Sequence, residues 1–252
     1  MITVKNVYDF INSFAPFETQ EKWDNSGMLI GDISKEVKVI AVCLDITCDT
    51  ISKAKSSNAD VIISHHPIIF NPLKKVLKGD PVYELLRSNI CAICAHTNFD
   101  LAKGGVNDVL AQLLELDNVS VLKSSDDSEI LRIGTTKKST PQDFAKFVAK
   151  KLGTTVRLAK GQSDVCKVAV CGGSGCSFIP DVIATGADAF VTGDAKHNDF
   201  LDATSDGLTL IAAGHYETEN PAMPVLAQML ESEFSTASVV YIDSVPTEFV
   251  TC

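Results

Sequence analysis

The sequence predicts an α/β protein built as two similar halves, each a mostly parallel sheet flanked by helices. Three observations predict it. Apolar stretches of strand length alternate with stretches of helical period along nearly the whole chain. The strand candidates, such as "VIAVC" and "DVIIS", are continuous apolar runs rather than alternating ones, the pattern of strands buried on both faces. Finally, "KVIAVCLDITCDTISKAKSSNADVIISHH" is echoed by "KVAVCGGSGCSFIPDVIATGADAFVTGDAKH". Both run from a strand through a loop and helix to Ala-Asp and a second strand, with 22 residues from Cys43 to His65 and 23 from Cys171 to Asp194. Convergence of two βαβ units would give the same echo; two similar α/β halves are the expectation.

The elements follow in order. Apolar residues at Val4, Val7, Phe10, Ile11 and Phe14 have helical spacing. "EKWDNSGMLIGD" is a loop leading into a short strand, and "VKVIAVCLDI" is a buried strand. "CDTISKAKSSN" reads as a helix with Asp49 as its N-cap, and "ADVIISHH" as the next strand. "DPVYELLRSN" is a helix capped by Asp80 with Pro81 in its first turn. "ICAICAH" is a strand and "GVNDVLAQLLELD" a helix. The composition turns polar in "KSSDDSE", residues 123–129, and a domain boundary is expected there. Beyond it come a strand in "EILRIGTT", a helix in "TPQDFAKFVAKKLG", and strands in "TTVRLA" and "VCKVAVC". After the "GGSG" loop and a short helix come the strand "DAFVTGD", a helix through "HNDFLDAT" and the strand "LTLIAAG". "NPAMPVLAQMLESEF" is a helix, with Asn220 able to cap it and Pro221 to open it, and "SVVYID" is a closing strand. The expected division is 1–125 plus 212–252 as one domain and 126–211 as the other.

The chain of 252 residues is 45% hydrophobic and 21% charged, enough for a buried core. No apolar run is long enough to span a bilayer, and the first residues lack the pattern of a secretory signal, so a cytoplasmic protein is expected. A formal net charge of −10 argues against general nucleic-acid or membrane binding, though not against a nucleotide-sized substrate. The eight cysteines, Cys252 included, lie mostly in apolar runs and read as free thiols used as small core residues. Cys91 and Cys94 have CxxC spacing, but on a strand that offset points them to opposite faces.

Four of the five histidines follow strand candidates. "SHHP" puts His65 and His66 at the end of one strand, where alternation would aim the two rings apart unless the strand ends there. "HTNFD" delivers His96 after another, with Asp100 in the loop four residues on. "GHYETE" delivers His215 and then Glu219, across a loop and a helix start rather than along one helical face. Carboxyl ends of strands in α/β sheets share one edge, where sites gather. Imidazoles and carboxylates there suit zinc, iron, manganese, nickel or cobalt. Six such groups exceed the needs of one tetrahedral ion and match two ions sharing a carboxylate. For any single member, a hydrogen-bonded structural histidine stays an alternative. His197, early in a helix, is read mainly as a surface or capping residue, with a pocket role as the other option. "GGSG" reads as a tight turn, or as backbone N–H groups offered to a phosphate. Asp24 and Asn25 either line the site or close an Asx turn.

The ordered series "EKWDNSG", "SHHP", "HTNFD", "CGGSG", "TGD" and "GHYETE" resembles the GTP cyclohydrolase I type 2 homologues, also called the NIF-three-like family. The resemblance covers almost the whole chain, and the double histidine with GHxxxE is its most specific part. It implies two similar α/β domains with mostly parallel mixed sheets and a dinuclear metal site in the cleft between them. It implies a toroidal homohexamer. By motif match the metal ligands are His65, His66, Asp100, His215 and Glu219, with Glu219 bridging two divalent ions. His96 falls beside the metals, either as a group supporting the ligands or as an acid/base, and the catalytic candidates are His96 and Glu219. No inserted middle domain fits. Where the commoner pattern has a tyrosine–histidine pair after "TGD", this chain reads His197–Asn198, so a role resting on the second residue of that pair does not transfer. The implied activity is a metal-dependent hydrolase on a nucleotide or other phosphate-bearing small molecule, by purine ring opening. A phosphoesterase or amidohydrolase on the same metals, and a non-enzymatic metal-binding scaffold or regulatory protein, are the alternatives.

Overall fold

The computed structural model describes residues 1–244; the Cys252 thiol lies outside them. The described chain forms two compact units: Met1–Ala102 joined by residues 223–244, and Lys103–Ala222. In the first, α1 (Val4–Phe14) precedes β1 (Gly27–Ile30), β2 (Val39–Cys43), α2 (Cys48–Ser56), β3 (Val61–Ser64), α3 (Pro81–Ser88), β4 (Cys91–Cys94) and α4 (Thr97–Leu101). The second contains α5 (Val106–Leu113), β5 (Asp117–Leu122), β6 (Leu131–Ser139), α6 (Pro141–Leu152), β7 (Arg157–Ala159) and β8 (Val165–Cys171). It continues with α7 (Ile179–Ala184), β9 (Ala189–Thr192), α8 (His197–Ser205), β10 (Thr209–Ala212) and α9 (His215–Glu219). Then α10 (Ala222–Glu233) leads to β11 (Ser238–Tyr241) in the first unit's sheet.

Each unit holds one mixed sheet flanked by helices. The first has the order β1-β4-β3-β2-β11, parallel except for β1. The second has the order β5-β6-β8-β9-β10-β7, with β8, β9 and β10 parallel and the rest antiparallel. Both faces are covered, as the continuous apolar runs predict. In the first unit Ile62, Ala41 and Ala92 pack with Ile51 of α2 and Leu85 of α3, while Ile40, Val42, Ile63 and Ile93 on the opposite parity are equally buried. In the second, Val168, Val170, Val191 and Ile211 pack with Leu110 of α5, with its C-cap Leu114 and with Phe144 and Val148 of α6.

The sequence echo is a structural repeat. β1–β4 and β7–β10 have the same order, β1-β4-β3-β2 against β7-β10-β9-β8, and each set ends in a five-residue helix, α4 or α9. Register fixes the equivalence: Cys43 pairs with Ser64 and Ser64 with Cys94, as Cys171 pairs with Thr192 and Thr192 with Ala212. The Ala-Asp of each half does the same work. One Asp60 carboxylate oxygen accepts from the N–H groups of Lys38 and Val39, and one of Asp188 from those of Cys166 and Lys167. Each carboxylate thereby satisfies backbone donors at the start of the preceding parallel strand.

Several local expectations change. Thr47, not Asp49, caps α2, because its hydroxyl reaches the N–H of Thr50 in a capping box. Asp80 precedes α3, but its carboxylate accepts from the N–H of Leu77. The change of sheet comes before the polar stretch at 123–129: β5, unrecognised in the sequence, already pairs with β6. Its residues are mostly exposed, so it lacks the apolar run that revealed the other strands. His215 and Glu219 accordingly belong to the Lys103–Ala222 unit. Asn220 is the C-cap of α9 and its amide donates to the Tyr216 hydroxyl. Among the described residues no helix is long and apolar enough to cross a membrane.

Candidate metal centre

In the first unit two strand ends bring three histidines together. β3 ends at Ser64, so His65 and His66 lie beyond its ladder and strict alternation no longer separates them. Their ring centroids are 5.1 Å apart. The His96 ring, just past β4, lies 5.0 Å from that of His65 and 5.6 Å from that of His66. One ring nitrogen from each histidine can be chosen so that all three lie within 4.8 Å of one another. His65 is fully buried and the other two are partly buried.

An oxygen acceptor orients each ring. His65 Nδ1 donates to the Ala95 carbonyl at 2.9 Å. His66 Nδ1 donates to Asp45 Oδ1 at 2.7 Å, and His96 Nδ1 to Asp24 Oδ1 at 2.8 Å. These partners put the proton on Nδ1, so each ring keeps the lone pair of its Nε2 for a cation or a proton. Asp100 is in no loop: it sits on α4, buried, with Oδ1 3.7 Å from His65 Nε2. The short helix directs it, since the N–H of Asp100 donates to the His96 carbonyl.

Asp24 ties the "WDNSG" turn to this group. Its second oxygen accepts from Ser26 Oγ at 3.0 Å, from the N–H of Thr97 at 3.0 Å and from the Thr97 hydroxyl. Burial alone would raise its pKa, yet the hydrogen bonds and charge of His96, with those of Thr97 and Asn25, hold the carboxyl well below its usual range. Asp24 closes no Asx turn: its Oδ1 accepts from the N–H of Asn25, one residue on, while the N–H of Ser26 donates to Gln20 Oε1.

In the second unit His215 and Glu219 share one turn of α9, with His215 Nε2 3.1 Å from Glu219 Oε2. This corrects the expectation of a loop and a helix start. Gly214 as N-cap, at φ +93°, lets the helix begin immediately after the strand, and the i, i+4 spacing then stacks the two side chains. His215 Nδ1 donates to Asp194 Oδ2 at 2.6 Å, and Ser174 Oγ bonds the same oxygen at 2.9 Å. Glu219 is buried against the "GGSG" loop. A Cβ on Gly173 would lie 2.1 Å from Glu219 Oε1 and 3.2 Å from His215 Nε2.

That loop offers little to a phosphate. The N–H groups of Gly172, Gly173 and Gly175 donate to side chains of Asn107, Thr218 and Thr192. It is a tight turn that backs the carboxylate. His197 opens α8 and is exposed. The cysteines at 43, 48, 91, 94, 166, 171 and 176 are free thiols. Burial pushes the Cys43 and Cys94 thiols well up, which keeps them protonated and inert.

The two orienting carboxylates Asp45 and Asp194 escaped the sequence reading. A signal was present: Asp45 follows β2, and Asp194 closes the "TGD" element at the position equivalent to His66. The residues fit divalent cations by the chemistry of the donor set. Four imidazoles have Nδ1 tied to oxygen, and two of the ring nitrogens so presented lie near a buried carboxylate.

Residues 2–247 match the family Duf34/NIF3 (NGG1p interacting factor 3). A Clostridium acetobutylicum protein named GTP cyclohydrolase 1 type 2 homolog is 31% identical over 241 residues, covering 91% of this chain and 90% of its own. A Helicobacter pylori protein named GTP cyclohydrolase 1 type 2 is 33% identical over 92% of this chain and 93% of its own. A crystal structure of a Bacillus cereus protein related to NIF3 superposes with a TM-score of 0.92 at 22% identity, covering 100% of this chain and 99% of that one, a likeness of fold.

Proposed function

The chain belongs to the Duf34/NIF3 family, and from that premise we propose that it is a dinuclear-metal hydrolase acting on a nucleotide or similar phosphate-bearing small molecule. In this reading His65, His66, Asp100, His215 and Glu219 hold two divalent cations, with Glu219 the carboxylate shared by both. Such cations would supply Lewis acidity toward the substrate and make water more acidic at neutral pH. The observation that carries the reading is the convergence of His65, His66 and His96, each with Nδ1 bonded to an oxygen acceptor. That arrangement is costly to build for structure alone and is the one metal-binding histidines adopt.

The chain's own groups have definite tasks. Asp24 keeps the His96 proton on Nδ1, so His96 Nε2 accepts a proton from water and returns it to the leaving nitrogen. Asp45 and Asp194 hold the rings of His66 and His215 in place. The name of the Helicobacter pylori relative directs the first choice of substrate to GTP, where hydrolysis of the purine amidine with loss of formate fits a metal pair. A ring of six chains belongs to the same proposal and is tested by light scattering.

The test is reconstitution with zinc, iron, manganese, nickel and cobalt in turn, metal counting, and assay against GTP and a phosphoester panel beside Glu219→Ala. About two ions per chain with turnover lost in the variant is the expected result. Turnover that survives in Glu219→Ala, or tight metal binding with no turnover of any substrate, overturns the hydrolase reading.

A further inference from the structure

The segment after the paired histidines, residues 67–80, is unlike the rest of the first unit. It carries no helix or strand and leaves Phe70 47% exposed. Opposite it stands Trp23, the chain's only tryptophan and 59% exposed. Exposed apolar groups that adjoin, unlike single ones, mark a surface used for binding. The two rings form an open corner, with centroids 5.9 Å apart and planes 49° apart. That spacing is too narrow for a third ring between them, so a ligand ring would lie on the outer indole face.

Two features tie this corner to the histidines. The Trp23 ring meets His96 edge-on at 6.0 Å, and its neighbour Asp24 orients His96. The Asn25 amide donates to the Ile69 carbonyl, fixing the start of the loop beside the turn. The corner is therefore pre-organised rather than a loose hydrophobic flap. The same loop carries Lys74, Lys75 and Lys78, all exposed, in a chain whose formal net charge is −10. A basic run on such a background draws anions to that edge.

We propose that Trp23 and Phe70 form the base-binding platform for a purine nucleotide, with Lys74, Lys75 and Lys78 receiving its phosphates. The assignment rests on the hydrolase reading for its choice of ligand, and it makes Trp23 a base-stacking residue. Indole is the strongest stacking partner among side chains, and stacking tolerates any base while the phosphates add charge pairing. A ring seated on Trp23 would lie beside His96.

The lone tryptophan supplies the measurement. Fluorescence excited selectively at Trp23 is titrated with GTP, with guanosine and with inorganic triphosphate, on the native assembly as purified. Saturable quenching by GTP, weaker quenching by guanosine and none by triphosphate is expected. By calorimetry, Trp23→Ala weakens GTP binding about tenfold or more while Trp23→Phe retains most of it. Reversing Lys74, Lys75 and Lys78 to glutamate weakens GTP binding and spares guanosine. A blue-shifted emission insensitive to GTP and to acrylamide overturns the proposal, because a second copy of the chain then covers the corner. Equal quenching by triphosphate, or unchanged GTP affinity in Trp23→Ala, overturns it as well. Failure of the hydrolase reading is distinct: no turnover, with Trp23 quenching by GTP intact.

Discussion

Gly173→Ala separates backbone strain from the burial of Glu219. Gly173 has φ +60° and Gly153 has φ +66°, so alanine at either site bears the same left-handed penalty of about 1–2 kcal/mol. Nothing lies within 4 Å of a Cβ at Gly153, whereas a Cβ at Gly173 would be 2.1 Å from Glu219 Oε1 and 3.1 Å from its Cδ. Glu219 is 4% exposed and held against His215, so it cannot swing aside without repacking, which costs about 1–3 kcal/mol more. Gly153→Ala should therefore cost about 1–2 kcal/mol and Gly173→Ala about 2–5 kcal/mol, read from urea midpoints by circular dichroism. Truncating the main obstacle tests the cause: added to Glu219→Ala, Gly173→Ala should cost little beyond the shared backbone strain, the remaining 3.2 Å approach to His215 Nε2 being to a side-chain end. A Gly173→Ala loss within about 0.5 kcal/mol of the Gly153→Ala loss would refute the reasoning, as would a double variant that regains nothing.

Three further outcomes follow from named contacts. Asp60→Ala strips the acceptor from two backbone N–H groups and should cost about 1–3 kcal/mol at neutral pH. Burial raises the Asp60 pKa but the Lys38 and Val39 N–H groups and Lys35 outweigh it, leaving it lowered; its stabilisation is thus present above the unfolded value of 3.8 and lost as pH falls through the folded one. The gap between wild type and Asp60→Ala should narrow below about pH 4 in denaturant melts, and a constant gap would count against the linkage. Asp194→Asn and Asp45→Asn should each weaken zinc binding about 10–100-fold in chelator competition, with melting unchanged within a few degrees; unchanged affinity would deny them their positioning role. Phe99→Ala, fully buried on the helix that carries Asp100 and edge-on to Phe14, should lose about 3–5 kcal/mol of stability by urea titration.

The frame was legible because both faces of each sheet are covered, so strands such as Val61–Ser64 and Ala189–Thr192 carry unbroken apolar signals. The edge strand Asp117–Leu122 is mostly exposed and lacks that signal. The five-residue helices α4 and α9 were invisible for another reason: each is a single turn, too short to show a period. They are the elements that aim Asp100 and Glu219, so residue identity was readable where direction was not. Asp24, Asp45 and Asp194 illustrate the same limit. Each is distant in sequence from the histidine it orients, by 72, 21 and 21 positions, and only the paired strands bring them together.

The doubled architecture lets the chain serve as its own alignment. Where both copies keep a residue, as with Asp60 and Asp188 gathering backbone donors, the scaffold requires it. Where they part, local work is indicated. His65 in one copy answers to Gly193 in the other, and there a side chain would come within 2.6 Å of the Gly173 carbonyl and 2.8 Å of His215 Cα. One copy spends that position on an imidazole, the other keeps it bare so that its own histidine can stand close by.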